Sequence, residues 1–228
     1  MIRNFLIFFL ISAIISGCEC VPGIDTPKIK EPAKYANLAI INILNNRNSI
    51  RAESEEIVLY EKLNLLQDTE YKKFETGSVK YLSVYTEDRF ERFINLPLNL
   101  NFGKYYTLML FSYGNETQYR LLDDTGFQKK MVNLRLMNLS DTDYSVIISS
   151  DGNEIEKDFK ANSSSSFIQF TPGKYHLTVT NEGDVYYEKE YELNYACNAD
   201  FICYTDEHNK FDIVKIDHPL ETEPVQEK

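Results

Sequence analysis

From residue 36 onward, apolar and polar positions alternate in short runs broken by turn residues. Ala36-Asn37-Leu38-Ala39-Ile40-Ile41-Asn42-Ile43 places aliphatic side chains at period two, the mark of a strand with one buried face. The run Val132-Asn133-Leu134-Arg135-Leu136-Met137-Asn138-Leu139 repeats it 96 residues later: Asn37, Leu38, Ile40 and Asn42 fall on Asn133, Leu134, Leu136 and Asn138. Leu38, Ile40, Leu134 and Leu136 are therefore expected to face inward. Phe74-Glu75-Thr76-Gly77-Ser78 parallels Phe159-Lys160-Ala161-Asn162-Ser163, and each is followed by another strand, around 81–84 and 167–170. The halves close with strands at 119–124 and 211–217. Such self-similarity predicts two copies of one unit, 36–124 and 131–217, each near the ~100 residues of a small β-sandwich. The expected fold class is all-β: two tandem antiparallel β-sandwiches.

Turn signals support that division. Asp151-Gly152 follows Val146-Ile147-Ile148 as a hairpin turn, and Pro172-Gly173 and Glu182-Gly183-Asp184 bracket Tyr175-His176-Leu177-Thr178-Val179. Gly-Lys-Tyr occurs at 103–105 and at 173–175, at different distances from the unit starts, and reads as a recurring entry into a strand. Residues 53–67 fit a helix or a strand; their position in the repeat favours strand.

The first residues follow another pattern. After Met1-Ile2-Arg3-Asn4 comes an apolar run over 5–15, too short to cross a membrane but suited to a signal peptide. It ends in Ile15-Ser16-Gly17-Cys18, which resembles the lipobox of bacterial lipoproteins. The resemblance implies cleavage between Gly17 and Cys18 and a diacylglycerol thioether, with palmitate-type acyl chains, on Cys18. An ordinary secretory signal with a coincidental Cys is the alternative. Residues 1–17 would be removed, 18–35 would tether the folded part to the membrane, and 218–228 would be a disordered polar tail. The expected location is the bacterial cell envelope, at the outer membrane or cell surface.

Composition narrows the function. The net charge is −11, and loss of Arg3 with the leader makes the remainder one unit more negative. Phosphate backbones repel such a chain, which argues against nucleic acid as a partner. There are 16 Tyr and 14 Phe but no Trp, and three His. No Gly-x-Ser-x-Gly, no phosphate-binding loop and no His pair at helical spacing occurs. The reading is a non-enzyme with no catalytic residues, no cofactor and no metal.

Three features remain open to chemistry. Cys197 and Cys203 flank Asn198-Ala199-Asp200-Phe201-Ile202; if that segment is a hairpin, the thiols face each other and a disulfide is expected. A zinc site using His208 is the rival, short of ligands. Cys20 is left unpaired. Carboxylates cluster at 53–56, 87–88, 123–124 and 151–154. Asp151-Gly152-Asn153-Glu154 reads as a solvated turn more readily than a Ca²⁺ loop, while Asp123-Asp124 lies where a polar bridge between units would form. Tyr105, Tyr106, Tyr113, Tyr186, Tyr187, Tyr191, Tyr195 and Tyr204 are core residues or a binding surface.

The order of these segments, especially Leu121-Leu122-Asp123-Asp124 and Val132-Asn133-Leu134-Arg135-Leu136-Met137-Asn138-Leu139-Ser140, resembles a bacterial secreted family known as domain of unknown function 4397. Ala39 departs from the Arg usual in the family, and 53–67 departs as well. The resemblance implies immunoglobulin-like sandwiches over 36–217 on an exported lipoprotein, with no established activity. The expected function is a membrane-anchored binding or spacer module, with a protein or glycan of the envelope as partner. A glycan-binding or glycan-cleaving protein using exposed Tyr and a carboxylate pair is the alternative.

Overall fold

A computed structural model describes residues 34–218, apart from 56, 68, 115, 126–130, 151–152, 194–197, 207 and 209. The described residues are all-β. The first half contains β1 (Tyr35–Ile43), β2 (Ser49–Ser54), β3 (Ile57–Asn64), β4 (Lys72–Glu75), β5 (Lys80–Thr86), β6 (Arg92–Leu98), β7 (Tyr105–Tyr113) and β8 (Glu116–Asp123). The second contains β9 (Val132–Asn138), β10 (Tyr144–Ser150), β11 (Asn153–Phe159), β12 (Ser163–Ser164), β13 (Ile168–Phe170), β14 (Gly173–Asn181), β15 (Asp184–Leu193), β16 (Asn198–Thr205) and β17 (Phe211–His218).

Each half is a sandwich. In the first, β4-β1-β7-β8 faces β3-β2-β5-β6; in the second, β12-β9-β16-β17, with β13 also on β9, faces β11-β10-β14-β15. The residues expected to face inward do so: Leu38 and Ile40 lie in one core, Leu134 and Leu136 in the other. Residues 57–64 are strand. Pairing is antiparallel except for β1 with β7 and β9 with β16, which are parallel. Parallel pairs occur where both faces of a sheet are covered, and that is the case here.

Ile41, Ile43, Met109 and Phe111 point away from the first core and meet Met137, Leu139, Ile202, Tyr204 and Ile216 of the second half. The sandwiches thus pack through their β1/β7 and β9/β16 sheets, giving four stacked sheets and three apolar layers. All seven residues of β9 are buried. In sequence the second buried face shows only as the extra apolar residues Ile41 and Ile43 in the first run and Met137 and Leu139 in the second, which the period-two reading undervalues.

Register refines the repeat. Asn42 and Asn138, matched by sequence, are fully buried and do the same work. Asn42 Nδ2 donates to the carbonyls of Arg47 and Leu63, and Asn138 Nδ2 to those of Thr142 and Phe159. Their Oδ1 atoms accept from the amides of Leu44 and Ser140. Phe159 therefore corresponds to Leu63, not to Phe74. Phe74 lies opposite Ala36, as Phe170 lies opposite Val132, so those two correspond. The equivalent of β5 is β14, not 167–170: each lies between its β2-like strand and an outer antiparallel neighbour. The two Gly-Lys-Tyr triplets open β7 and β14, which are not equivalent strands.

The Glu182-Gly183 turn is a two-residue hairpin with φ of 50° and 93°, the left-handed region where Gly is at ease. The β10–β11 ladder runs to Ser150 opposite Asn153; Asp151 and Gly152 lie outside the described residues. Two boundaries move relative to the sequence reading. Tyr35, placed in the tether, opens β1, and His218, placed in the tail, closes β17 opposite Asn198.

Candidate functional site

The most concentrated chemistry lies in the layer between the sandwiches. Asp124 follows β8, Arg135 is mid-β9, Asp200 is in β16 and His218 ends β17. All four are buried, the two carboxylates completely. Arg135 holds both acids: Nε and Nη2 donate to the two oxygens of Asp200 at 2.8 Å, and Nη1 donates to Asp124 Oδ1 at 2.8 Å. His218 Nε2 lies 2.7 Å from Asp200 Oδ2. The first sandwich completes the set. Thr107 Oγ1 donates to Asp124 Oδ2 at 2.5 Å and the Tyr71 hydroxyl donates to the same oxygen at 3.1 Å. Tyr71 stacks edge-on against Tyr105, and Phe167 lies under the guanidinium 4.7 Å away.

These groups balance. With His218 protonated the cluster holds two cations and two anions. Burial pushes the His218 imidazole toward neutrality, but the Asp200 carboxylate outweighs it and raises the pKa above the ordinary value. Burial pushes Asp200 up, but His218 and Arg135 overcome it and hold it below the usual carboxylate range. Asp124 goes the other way: burial raises its pKa despite Arg135 and His218. Buried charge is tolerated where every member is paired and hydrogen-bonded, and here each carboxylate oxygen has a donor.

The positions are equivalent across the repeat. Arg135 stands where the first copy has Ala39. In the parallel ladders Arg135 lies opposite Asp200 as Ala39 lies opposite Thr107. Asp124 donates its amide to the Tyr105 carbonyl, one step past the Tyr106–Asp123 pair, which makes it the counterpart of His218 opposite Asn198. One copy supplies Ala, Thr and Asp; the other supplies Arg, Asp and His.

The residues singled out from sequence fare unequally. Asp124 is the bridge between units expected at 123–124, while Asp123 is exposed and pairs with Lys104. Gly17, Cys18, Cys20 and Cys197 lie outside the described residues. Cys203 is a free thiol buried in the second core, and burial pushes its pKa up to about 12. The hairpin expected between 197 and 203 is instead a continuous strand, β16. From Asn198 to Cys203 an extended chain spans roughly 16 Å, so a disulfide with Cys197 would require β16 to open. His208 is exposed in the β16–β17 turn, its amide held by Asp206.

Most of the highlighted tyrosines are structural. Tyr106 and Tyr204 are buried, while Tyr113, Tyr187 and Tyr191 pack against the cores. Tyr105 is half-buried, and Tyr195 lies outside the described residues. Among the described residues the exposed tyrosines are Tyr35, Tyr81, Tyr119 and Tyr186, spread over three sheets.

Motif spacing does not reach Arg135, Asp200 and His218. A charge inside the aliphatic run Leu134-Arg135-Leu136 is the available signal, because a central strand does not bury an ion without a partner. Glu53 is a second case. It is buried on the first sandwich, with Arg51 Nε at 2.7 Å and Arg89 Nη2 at 3.1 Å. A polar depression of about 550 Å³ lies on the second sandwich, lined by Asp143, Glu156, Asp158, Lys160, Asn181 and Glu182.

No protein-family model matches the chain, and no curated protein does. The resemblance to domain of unknown function 4397 is thus carried only by the segments quoted for it. Among solved structures, the chain is similar to a Bacteroides ovatus protein provisionally described as a cell adhesion protein. Identity is 10%, the TM-score is 0.28, and the match covers 82% of this chain and 99% of that one.

Proposed function

We propose that this chain is a non-enzymatic lipoprotein of the bacterial envelope. In this reading a stiff double sandwich is held at the membrane through acylated Cys18 and displays its outer sheets to a protein partner. The observation that carries the reading is the junction. A third apolar layer and a charge-balanced cluster join the halves into one body, as suits a spacer or display module. The buried carboxylates that could have served chemistry are committed to Arg135, His218, Thr107 and Tyr71.

Anchoring rests on the order of apolar run, small residues and Cys at 5–18. Two or more acyl chains give stable attachment where one would not. Cys18→Ala is expected to abolish incorporation of labelled palmitate and release the protein from membranes; continued labelling would overturn the anchor. Crosslinking on intact cells is expected to capture an envelope protein on the outer sheets. Turnover of an envelope glycan by the purified chain would overturn the non-enzymatic reading.

A further inference from the structure

One end of the first sandwich carries apolar side chains that the core does not use. The turn before β7 reads Asn101-Phe102-Gly103-Lys104, closed by the Lys104 amide on the Asn101 carbonyl. Turns favour small and polar residues, yet Phe102 stands there 65% exposed. Beside it, the Gly103 amide donates to the Tyr35 carbonyl, and Tyr35 is 40% exposed at the first position of β1. Val79, 52% exposed, belongs to the same end, since the loop holding it links β4, paired with Tyr35, to the start of β5. Lysines accompany them: Lys34 is exposed, Lys73 Nζ lies 5.9 Å over the Tyr35 ring, and Lys104 pairs with Asp123.

This is also the end at which the chain enters the fold, at Lys34. Lys34 lies sixteen positions after Cys18. Full extension would span about 55 Å, and a coil of that length averages about 20 Å. An acyl anchor on Cys18 therefore attaches to the fold at this end, within reach of the bilayer. Aromatic rings with an apolar body, flanked by lysines whose stems lie along apolar surface, suit the boundary between headgroups and acyl chains.

We propose that Phe102, Tyr35 and Val79 form a lipid-contacting end that seats the module on the membrane to which Cys18 is anchored. The proposal rests on the lipoprotein reading. It gives the protein an upright pose, with the β5–β6 hairpin and its exposed Phe90 one strand length, about 20 Å, farther from the lipid.

The absence of Trp makes the test direct. Acylated full-length protein carrying Phe102→Trp, or Phe90→Trp as reference, is reconstituted into phosphatidylethanolamine–phosphatidylglycerol vesicles containing lipids brominated along the acyl chain. Indole emission from the Phe102→Trp protein is expected to shift to the blue and fall at least twofold, while that from the Phe90→Trp protein stays unchanged. Vesicle-bound, acylated Phe102→Trp protein with unquenched emission, or equal quenching in the two variants, overturns the seated pose while leaving the anchor intact. Protein that takes up no acyl chain and does not partition overturns the anchor, and the pose with it.

Discussion

His218 closes a cluster whose net charge is zero only when its imidazole is protonated. Its pKa is raised in the fold. Its contribution is therefore complete below the unfolded value of about 6.5 and is lost as the pH climbs through the folded value. Asp124, raised by burial, acts in the same direction, since ionising it costs stability as pH rises. Asp200 is held low, so its contribution is present above about pH 3.9 and is lost only in stronger acid. Thermal stability should peak in mild acid and decline above neutrality. His218→Gln should flatten the decline, as followed by circular dichroism from pH 4 to 9; an unchanged alkaline limb would refute this assignment.

Cys203 supplies a second test at this scale. A thiol buried in the core with its pKa pushed up to about 12 reacts as an inert apolar group. Iodoacetamide is expected to leave it unmodified in native protein and to label it without reductant once urea unfolds the chain. Peptides linking Cys197 to Cys203 would show that the first residues of β16 are open in the oxidised protein.

At the scale of elements, β1 and β9 show what can be read ahead of the structure and what cannot. Their inward residues follow from period two, because a half-buried strand must alternate. Their outward residues, Ile41 with Ile43 and Met137 with Leu139, do not, because alternation describes one buried face and these strands have two. The course of the chain between Cys197 and Cys203 is illegible for a related reason. Six residues can turn back or run straight, and Phe201 and Ile202, facing different apolar layers, are what make the segment straight.

Asn42 and Asn138 are legible as a repeat but not as anchors. Each satisfies two carbonyls and an amide at the end of its strand. Asn42→Ala and Asn138→Ala should each cost about 1–3 kcal/mol, the usual penalty for stranding buried polar groups, measurable by urea denaturation. A near-zero effect at either would mean water replaces the side chain. Arg135→Ala should cost more, about 3–5 kcal/mol, since it leaves two carboxylates buried without their cation.

At the scale of the whole molecule, the two copies meet through equivalent faces, as two identical subunits would around a two-fold axis. The three paired positions break that symmetry. Two second halves meeting face to face would bury two Arg, two His and two Asp, an excess of two positive charges when both His are protonated. Two first halves would bury two Asp124 with no Arg. With the imidazoles protonated, only a first half against a second half is neutral. The cluster therefore acts as a password between the halves, rejecting like and admitting unlike. Expressed as separate chains divided within 126–130, the halves should co-purify as a one-to-one pair, and neither should form a stable homodimer by sedimentation. A chain so divided retains its fold through recognition rather than covalent linkage. The corollary in concentrated solution is that neighbouring copies gain nothing by pairing like halves.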